Sequence, residues 1–311
     1  MIPEELKGNL EKQGYRIVGN HSAIKVCLWC KKSLRDEDTC YKNKFYGIKS
    51  WQCVQMSPAF LNCLHRCQFC WRDLEYTLPK DVENPDNPKE IIDKSIEEHK
   101  IILQGFRANK ILNKKKFEEA MKPKHFAISL SGDATMYPLL PEFIKELDSR
   151  KITSFLVTNG LKPGMLLKLI KQQPTQLYIT LPAYNEKVYK KVCNPLMESG
   201  WWQLQKSLRL LKHFNRGTIR LTLYNGVNME NAKEYSKLLK NIGFKFLEVK
   251  AAFPVGYARH RLKYEDMPKH DEIKNFAKEI KENLDLEFID EKKESRVVLL
   301  AKDNKSITLD L

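Results

Sequence analysis

Three cysteines within one short stretch constrain this chain more than any other feature. The segment reads Cys63-Leu64-His65-Arg66-Cys67-Gln68-Phe69-Cys70-Trp71, a C-x3-C-x2-C triplet. Clustered cysteines in a reducing compartment are metal ligands or catalytic thiols more often than disulfides. Three thiolates hold three irons of a 4Fe–4S cube, where such clusters normally take four cysteine ligands. The fourth iron is then open to a small-molecule ligand. The chain has eight cysteines, and seven of them lie between Cys27 and Cys70. Cys193 stands apart and reads as a small buried hydrophobe. Zinc is the competing reading, because Cys27-x2-Cys30 and Cys67-x2-Cys70 together look like a zinc ribbon. That choice leaves Cys40, Cys53 and Cys63 without roles.

The rest of the chain has to supply a scaffold. With 42% hydrophobic residues in 311, it can bury a sizeable core. No apolar run approaches the roughly 18–20 residues needed to cross a bilayer. The longest, Val297 to Ala301, is short, and the opening M-I-P-E-E-L-K lacks the regions of a signal peptide. A cytoplasmic protein with no membrane partner is expected.

Apolar patterning alternates between strand and helix. Pro3 to Gln13 reads as an amphipathic helix, and Val54 to Phe60 as a strand leading into the triplet. Helices are expected over Ile91–Leu112, Pro138–Ser149, Met165–Lys171, Trp201–Phe214, Glu230–Lys240 and Asp271–Glu282. Strands are expected over Phe126–Leu130, Thr153–Val157, Gln176–Thr180, Ile219–Leu223 and Lys245–Lys250, with short tail strands at Glu287–Ile289, Arg296–Leu300 and Ser306–Leu309. About six βα units argue for a parallel sheet with crossover helices, an α/β fold. A partial (βα)6 TIM-like barrel fits best, and an open doubly wound sheet is the alternative. Either places ligands at the carboxyl ends of the strands. The expected organisation is an N-terminal cysteine-rich extension over 1–53, the partial barrel over 54–285 and a C-terminal β extension over 286–311.

A C-x3-C-x2-C triplet followed by an aromatic, here Trp71, resembles the radical S-adenosylmethionine (SAM) superfamily. The resemblance implies that Cys63, Cys67 and Cys70 hold a 4Fe–4S cluster whose open iron takes SAM. Reductive cleavage of SAM there makes a 5′-deoxyadenosyl radical; the cofactor carries that chemistry and the protein positions it. Ser131-Gly132-Asp133 stands where the superfamily carries a G-G-E-like motif that holds the SAM amino group. Ser replaces the first Gly and Asp replaces Glu. Thr158-Asn159-Gly160 and Thr180 end the next two strands, where the superfamily contacts SAM carboxylate and ribose. Their plainer reading is ordinary turn and strand-end chemistry.

Cys27, Cys40 and Cys53 are spaced C-x12-C-x12-C. With the first triplet, with C-Y-K-N-K-F-Y-G-I from Cys40, S-L-S-G-D-A-T-M-Y-P from Ser129 and F-P-V-G-Y-A-R-H-R-L from Phe253, the chain resembles the tRNA 4-demethylwyosine synthase family. The resemblance covers Cys27 to Leu262. It implies a second 4Fe–4S cluster on Cys27, Cys40 and Cys53, with pyruvate as two-carbon donor beside it. Cys30 fits neither triplet, and structural zinc or free thiols remain the plainer reading of this set. Lys42 matches the lysine that forms a Schiff base with pyruvate or moves protons; an amine buried beside cationic iron has a lowered pKa, which suits either role. Lys44 is the neighbouring competitor.

The net charge of +15 favours a polyanion, although a Lys-rich solvated surface accounts for the same number. The loop Pro254 to Met267 carries Tyr257, Arg259, Arg261 and Lys263. Cations there would position RNA on its phosphates, and Tyr257 would stack on a base. Trp201 and Trp202 read as helix-start packing. The resemblance implies that the substrate is N1-methylguanosine beside the anticodon of tRNA-Phe, which must leave its stack to react. Few residues precede the triplet and none form a Gly-rich phosphate loop, so electrons are expected from a separate ferredoxin or flavodoxin, delivered to a monomer. The rivals are another radical SAM enzyme, such as a glycyl-radical activase, and a zinc-stabilised RNA-binding module without catalysis.

Overall fold

The computed structural model describes residues 2–309. Six strands run parallel in chain order: β3 (Cys53–Ser57), β4 (His125–Ile128), β5 (Thr153–Thr158), β6 (Gln176–Thr180), β7 (Gly217–Leu223) and β8 (Phe246–Ala251). They read as near-continuous apolar runs because both faces are covered. An antiparallel hairpin, β1 (Tyr15–Val18) and β2 (Ser22–Lys25), extends one edge through β2–β3 pairing. A second hairpin, β9 (Glu287–Lys292) and β10 (Val297–Ala301), extends the other through β10–β8 pairing. The result is a single ten-stranded open sheet, β1-β2-β3-β4-β5-β6-β7-β8-β10-β9. The expected α/β architecture of six parallel units is present, and the wall stays open.

The crossover helices are α4 (Pro88–Gln104), α6 (Leu140–Ser149), α7 (Pro163–Leu169), α9 (Gly200–Leu210), α10 (Ala232–Leu239) and α11 (His270–Leu284), with shorter α5 (Lys114–Ala120) and α8 (Glu186–Cys193). Asn87 caps α4, its side-chain oxygen accepting from the Lys89 amide at 2.9 Å, with Pro88 at the first position. The main core lies between these helices and the sheet, including Phe126, Ile128, Leu156, Ile179, Leu221 and Val249. No helix among the described residues is long and apolar enough to cross a membrane.

The N-terminal stretch holds more structure than its charge suggests. Besides α1 (Glu4–Lys12) and the first hairpin, it forms α2 (Leu28–Leu34) and α3 (Tyr41–Tyr46). The latter settles the lumen: its Tyr41, Phe45 and Tyr46 pack with Phe155, Tyr178 and Phe246 of the strands and with Val297 and Leu299 of β10. One short helix therefore covers this face of the sheet.

Two expectations change. The long helix from Ile91 stops at Gln104, where Gly105 caps it and the chain turns through Asn109. No strand forms at Ser306–Leu309, because Arg216 takes the carbonyls of Ser306 and Ile307, each at 2.6 Å, and Ser306 adopts a φ of 51°. A side chain replaces the ladder.

Candidate functional site

The first triplet occupies the loop that leaves β3. Backbone bonds hold this loop at several points: Cys63 donates to Leu78 O at 3.0 Å, Gln68 to Val192 O at 2.8 Å, and the Cys70 amide closes a turn on Cys67 at 3.1 Å. The Arg72 guanidinium is buried and donates to the carbonyls of Leu61 and His65, at 3.0 and 3.2 Å. Burial pushes the Cys63 thiol up to about 12, while Arg72 pulls the other way. Cys70 is raised by burial and opposed by the same arginine. Thiols raised by burial, with a cation alongside, lose their protons when they coordinate a metal.

Cys67 acts on both other thiols of the triplet and also borders α8. Its ligand atom lies with those of His65 and Cys193, all within 4.8 Å of one another. A hydrogen bond with Cys193 and burial together raise its pKa. His65 is held in turn by the Tyr189 hydroxyl at 2.6 Å. The triplet is thus one loop with two of its thiols under Arg72 and the third turned toward α8.

The Ser-Gly-Asp and Thr-Asn-Gly segments meet across β4 and β5. Gly132 has a φ of +65°, and a Cβ there would stand 1.8 Å from the Ala59 carbonyl. Only glycine allows the approach that lets the Asp133 amide reach Asn62 O at 2.7 Å. The Asp133 carboxylate is buried and accepts from the Thr135 amide and hydroxyl, from Thr158 Oγ1 at 2.9 Å and from the Asn159 amide at 2.7 Å. Its lone pairs are spent on fastening one loop to the next. Asn159 then directs its Nδ2 at Cys63 Sγ, 3.6 Å away. Thr180 sits half-buried at the end of β6. Trp71 is partly exposed and anchored by its indole N–H on Leu130 O at 2.7 Å.

The loop after β8 rests on this site. Tyr257 donates its amide to Trp71 O at 2.9 Å, permitted because Gly256 takes a φ of +56° against the same carbonyl. Arg261 spends its guanidinium on the carbonyls of Gln68 and Cys70. Expected as a phosphate contact, it braces the cysteine loop from within. Arg259 and Lys263 are exposed. A surface groove of about 570 Å³ beside this loop is lined by Val255, Tyr264, Met267, Lys269 and Arg296.

The second set assembles from three elements. Cys27 is the N-cap of α2, Cys40 the N-cap of α3, and Cys53 opens β3. Burial raises all three thiols, and each is further raised by another member of the set or opposed by Lys42. Cys30 points into the apolar cluster of Val26, Leu34, Leu103 and Phe117, its thiol toward Trp51 O at 3.7 Å. The zinc-ribbon pairing does not form: Cys27 and Cys30 lie with Cys53 at the start of β3, whereas Cys67 and Cys70 follow its end.

Lys42 is buried, its amine over the Phe155 ring at 4.6 Å and the Tyr178 ring at 4.8 Å. Desolvation lowers its pKa first and Arg220 second, with Cys40, Cys53 and Glu248 opposing. Lys44, by contrast, is half-exposed and paired with Asp290 at 2.8 Å. Sequence reasoning missed the charged wall around Lys42. Arg220 donates to Glu248 at 2.9 Å and to the Tyr41 hydroxyl at 2.8 Å, and Glu248 also accepts from Tyr46 at 2.9 Å. The signal was available: a lone charge inside each apolar run, Ile219-Arg220-Leu221 and Leu247-Glu248-Val249. Arg72, directly after Trp71, was missed too.

Thiols of this character fit iron at both sets. The radical SAM superfamily description matches residues 58–239, and that of wyosine base formation matches residues 244–302. The S-adenosyl-L-methionine-dependent tRNA 4-demethylwyosine synthase of Pyrococcus abyssi is 42% identical over 97% of this chain and 90% of its own length. The enzyme of the same name from Methanocaldococcus jannaschii is 40% identical over 99% of each chain. A solved structure of TYW1 with a lysine-pyruvate adduct bound superposes with a TM-score of 0.89 at 38% identity, covering 100% of this chain and 99% of that one. Archaeal TYW1 gives 0.80 at 34% identity, over 99% and 100%. This chain belongs to the radical SAM superfamily and, within it, to the tRNA 4-demethylwyosine synthase family.

Proposed function

We propose that this enzyme condenses N1-methylguanosine, beside the anticodon of tRNA-Phe, with two carbons of pyruvate to form the tricyclic 4-demethylwyosine base. One observation carries the reading: a buried lysine amine, Lys42, stands among the thiols of the second cysteine set in a chain whose solved relative holds a lysine-pyruvate adduct.

In this reading Cys63, Cys67 and Cys70 hold the SAM-binding 4Fe–4S cluster and Cys27, Cys40 and Cys53 hold a second one. SAM on the reduced first cluster supplies the hydrogen-abstracting radical for the methyl group. The protein's own residues do the remainder. Trp71, Gly132, Thr158, Asn159 and Thr180 line the SAM side, with Asp133 fixing the two loops they stand on. The Lys42 amine, kept more readily neutral by burial, attacks the keto carbon of pyruvate or moves a proton there. Burial keeps water from competing. Tyr257, Arg259 and Lys263 face the RNA, with Arg261 tying that loop to the cysteines. Residues 1–53 bring the second cysteine set, 54–285 the partial barrel and 286–311 a C-terminal β extension. A separate ferredoxin or flavodoxin reduces a monomeric enzyme.

The test is an anaerobic reaction with SAM, dithionite, pyruvate and tRNA-Phe bearing N1-methylguanosine, read by nucleoside mass spectrometry. The tricyclic nucleoside is expected only when pyruvate is present. SAM cleavage without any tRNA product, with or without pyruvate, overturns the assignment in favour of another radical SAM reaction.

A further inference from the structure

Arg220 has a donor to spare in a place where charge does not balance. It lies on β7, and its side chain is 14% exposed on the face of the sheet that α3 covers. Its Nε is committed to Glu248 and its Nη2 to the Tyr41 hydroxyl, while Nη1 makes no hydrogen bond among the described residues. Glu248 is fully buried and takes Arg220, Tyr41 and Tyr46 on its two oxygens. That carboxylate is neutralised by Arg220 alone.

Two further cations face the same cluster. Lys42 approaches the Tyr178 ring at 4.8 Å, and Arg220 stacks on that ring at 4.5 Å. Lys250, on the neighbouring strand β8, is half-buried near Arg220 and Glu248 and donates to Ser295 O at 2.8 Å. The Tyr178 hydroxyl, in the same wall, is buried with no hydrogen-bond partner among the described residues. Around one carboxylate stand three basic side chains, and buried charge calls for a counter-charge. Cys40 and Cys53 stand near Lys42, and Cys40 also near Lys250, while Arg220 keeps Nη1 uncommitted on a side chain that is 14% exposed.

We propose that Arg220 binds the carboxylate of pyruvate through Nη1, with Lys42 taking the adjacent keto carbon. This deepens the function proposed above and rests on it. A guanidinium beside a carboxylate gives a charge-assisted bond, and it orients a keto acid so that its carbonyl, not its anionic end, meets the amine. A neutral carbonyl compound gains nothing from Arg220, so the residue selects for keto acids.

The measurement is reductive trapping. Imine formation on Lys42 releases water, and cyanoborohydride then adds hydride to leave a stable secondary amine, located by peptide mass spectrometry. The probes are pyruvate and its neutral amide, pyruvamide. In the wild type, pyruvate is expected to label Lys42 at lower concentration than pyruvamide. In Arg220→Gln, half-saturating pyruvate should rise about tenfold relative to pyruvamide. The Arg220→Gln/Glu248→Gln double variant removes both members of the buried pair, and it should show the same loss of selectivity if the single variant folds poorly. Comparing the two probes cancels any general change in the reactivity of Lys42. An unchanged pyruvate-to-pyruvamide ratio in both variants overturns the assignment of Arg220. Absence of any pyruvate adduct on wild-type Lys42 overturns the Lys42 reading, and this one with it.

Discussion

The two cysteine sets are built in opposite ways. Cys63, Cys67 and Cys70 lie on one loop, shaped by its own turns and by Arg72 behind it. Cys27, Cys40 and Cys53 come from two helix caps and a strand start, and they meet only because α3 packs against the sheet. Their surroundings differ as much. Near the first set stand Asp133 and Asn159, a polar frame that joins adjacent strand ends. Near the second stand Lys42, Arg220 and Glu248, a charged interior. Under the proposed function, the difference is a division of labour: local geometry for the cofactor, tertiary geometry for the small substrate.

Lys42→Ala separates the two regions most sharply. Product formation should fall by about 10²–10⁴-fold, the usual worth of a catalytic proton-transfer or nucleophilic group. SAM cleavage, measured as 5′-deoxyadenosine in the same reaction, should persist. Equal loss of both would merge the two sites into one.

Gly132→Ala strikes the frame of the first set. A methyl group placed 1.8 Å from the Ala59 carbonyl, on a backbone at φ +65°, forces the loop to move. A stability loss of at least about 2 kcal/mol is expected in denaturant unfolding. SAM cleavage should fall with it. Wild-type stability would show that the loop is not pinned there.

How legible this division was differs along the chain. Gln176–Thr180 was readable to the residue as β6, because fully buried parallel strands write continuous apolar runs. The first triplet was readable because all its ligands share a single loop. The second was visible only as a spacing, since no local pattern says that Cys27 and Cys53 meet. Arg261 was misread for a related reason. Its neighbours in sequence are exposed and basic, but its guanidinium turns inward to Gln68 and Cys70, nearly two hundred residues away. Helices α2, α3 and α8 were hidden because they are short and rich in charge, with only a few buried residues each to mark the inner face.

An acid-range effect probes the scaffold away from both sites. His99 on α4 is buried with neither ring nitrogen bonded among the described residues, and burial lowers its pKa to about 4 from 6.5. The unfolded state therefore binds more protons between those values, so stability rises with pH across that window and is lost as pH falls from 6.5 toward 4. His99→Leu should flatten that part of the profile, recovering about 3 kcal/mol at its acid end. The check is denaturant unfolding at pH 7 and pH 4.5. A slope unchanged by the substitution would show that His99 titrates alike in the folded and unfolded states.

The smallest expected effect is at the RNA-facing loop. Arg259→Ala with Lys263→Ala should weaken tRNA binding several-fold and reduce the slope of log affinity against log salt by about two. The expected outcome leaves 5′-deoxyadenosine formation intact. A salt slope equal to that of the wild type would move the RNA contact to another face.

Iron and sulfide quantitation under anaerobic conditions tests the central claim most directly. The wild type should hold about eight irons, and either triple variant, Cys63/Cys67/Cys70→Ala or Cys27/Cys40/Cys53→Ala, should hold about four. The second variant should still cleave SAM, and the first should not. About four irons in the wild type, lost entirely without the first triplet and untouched without the second, would contradict the account by leaving Cys27, Cys40 and Cys53 without a cluster.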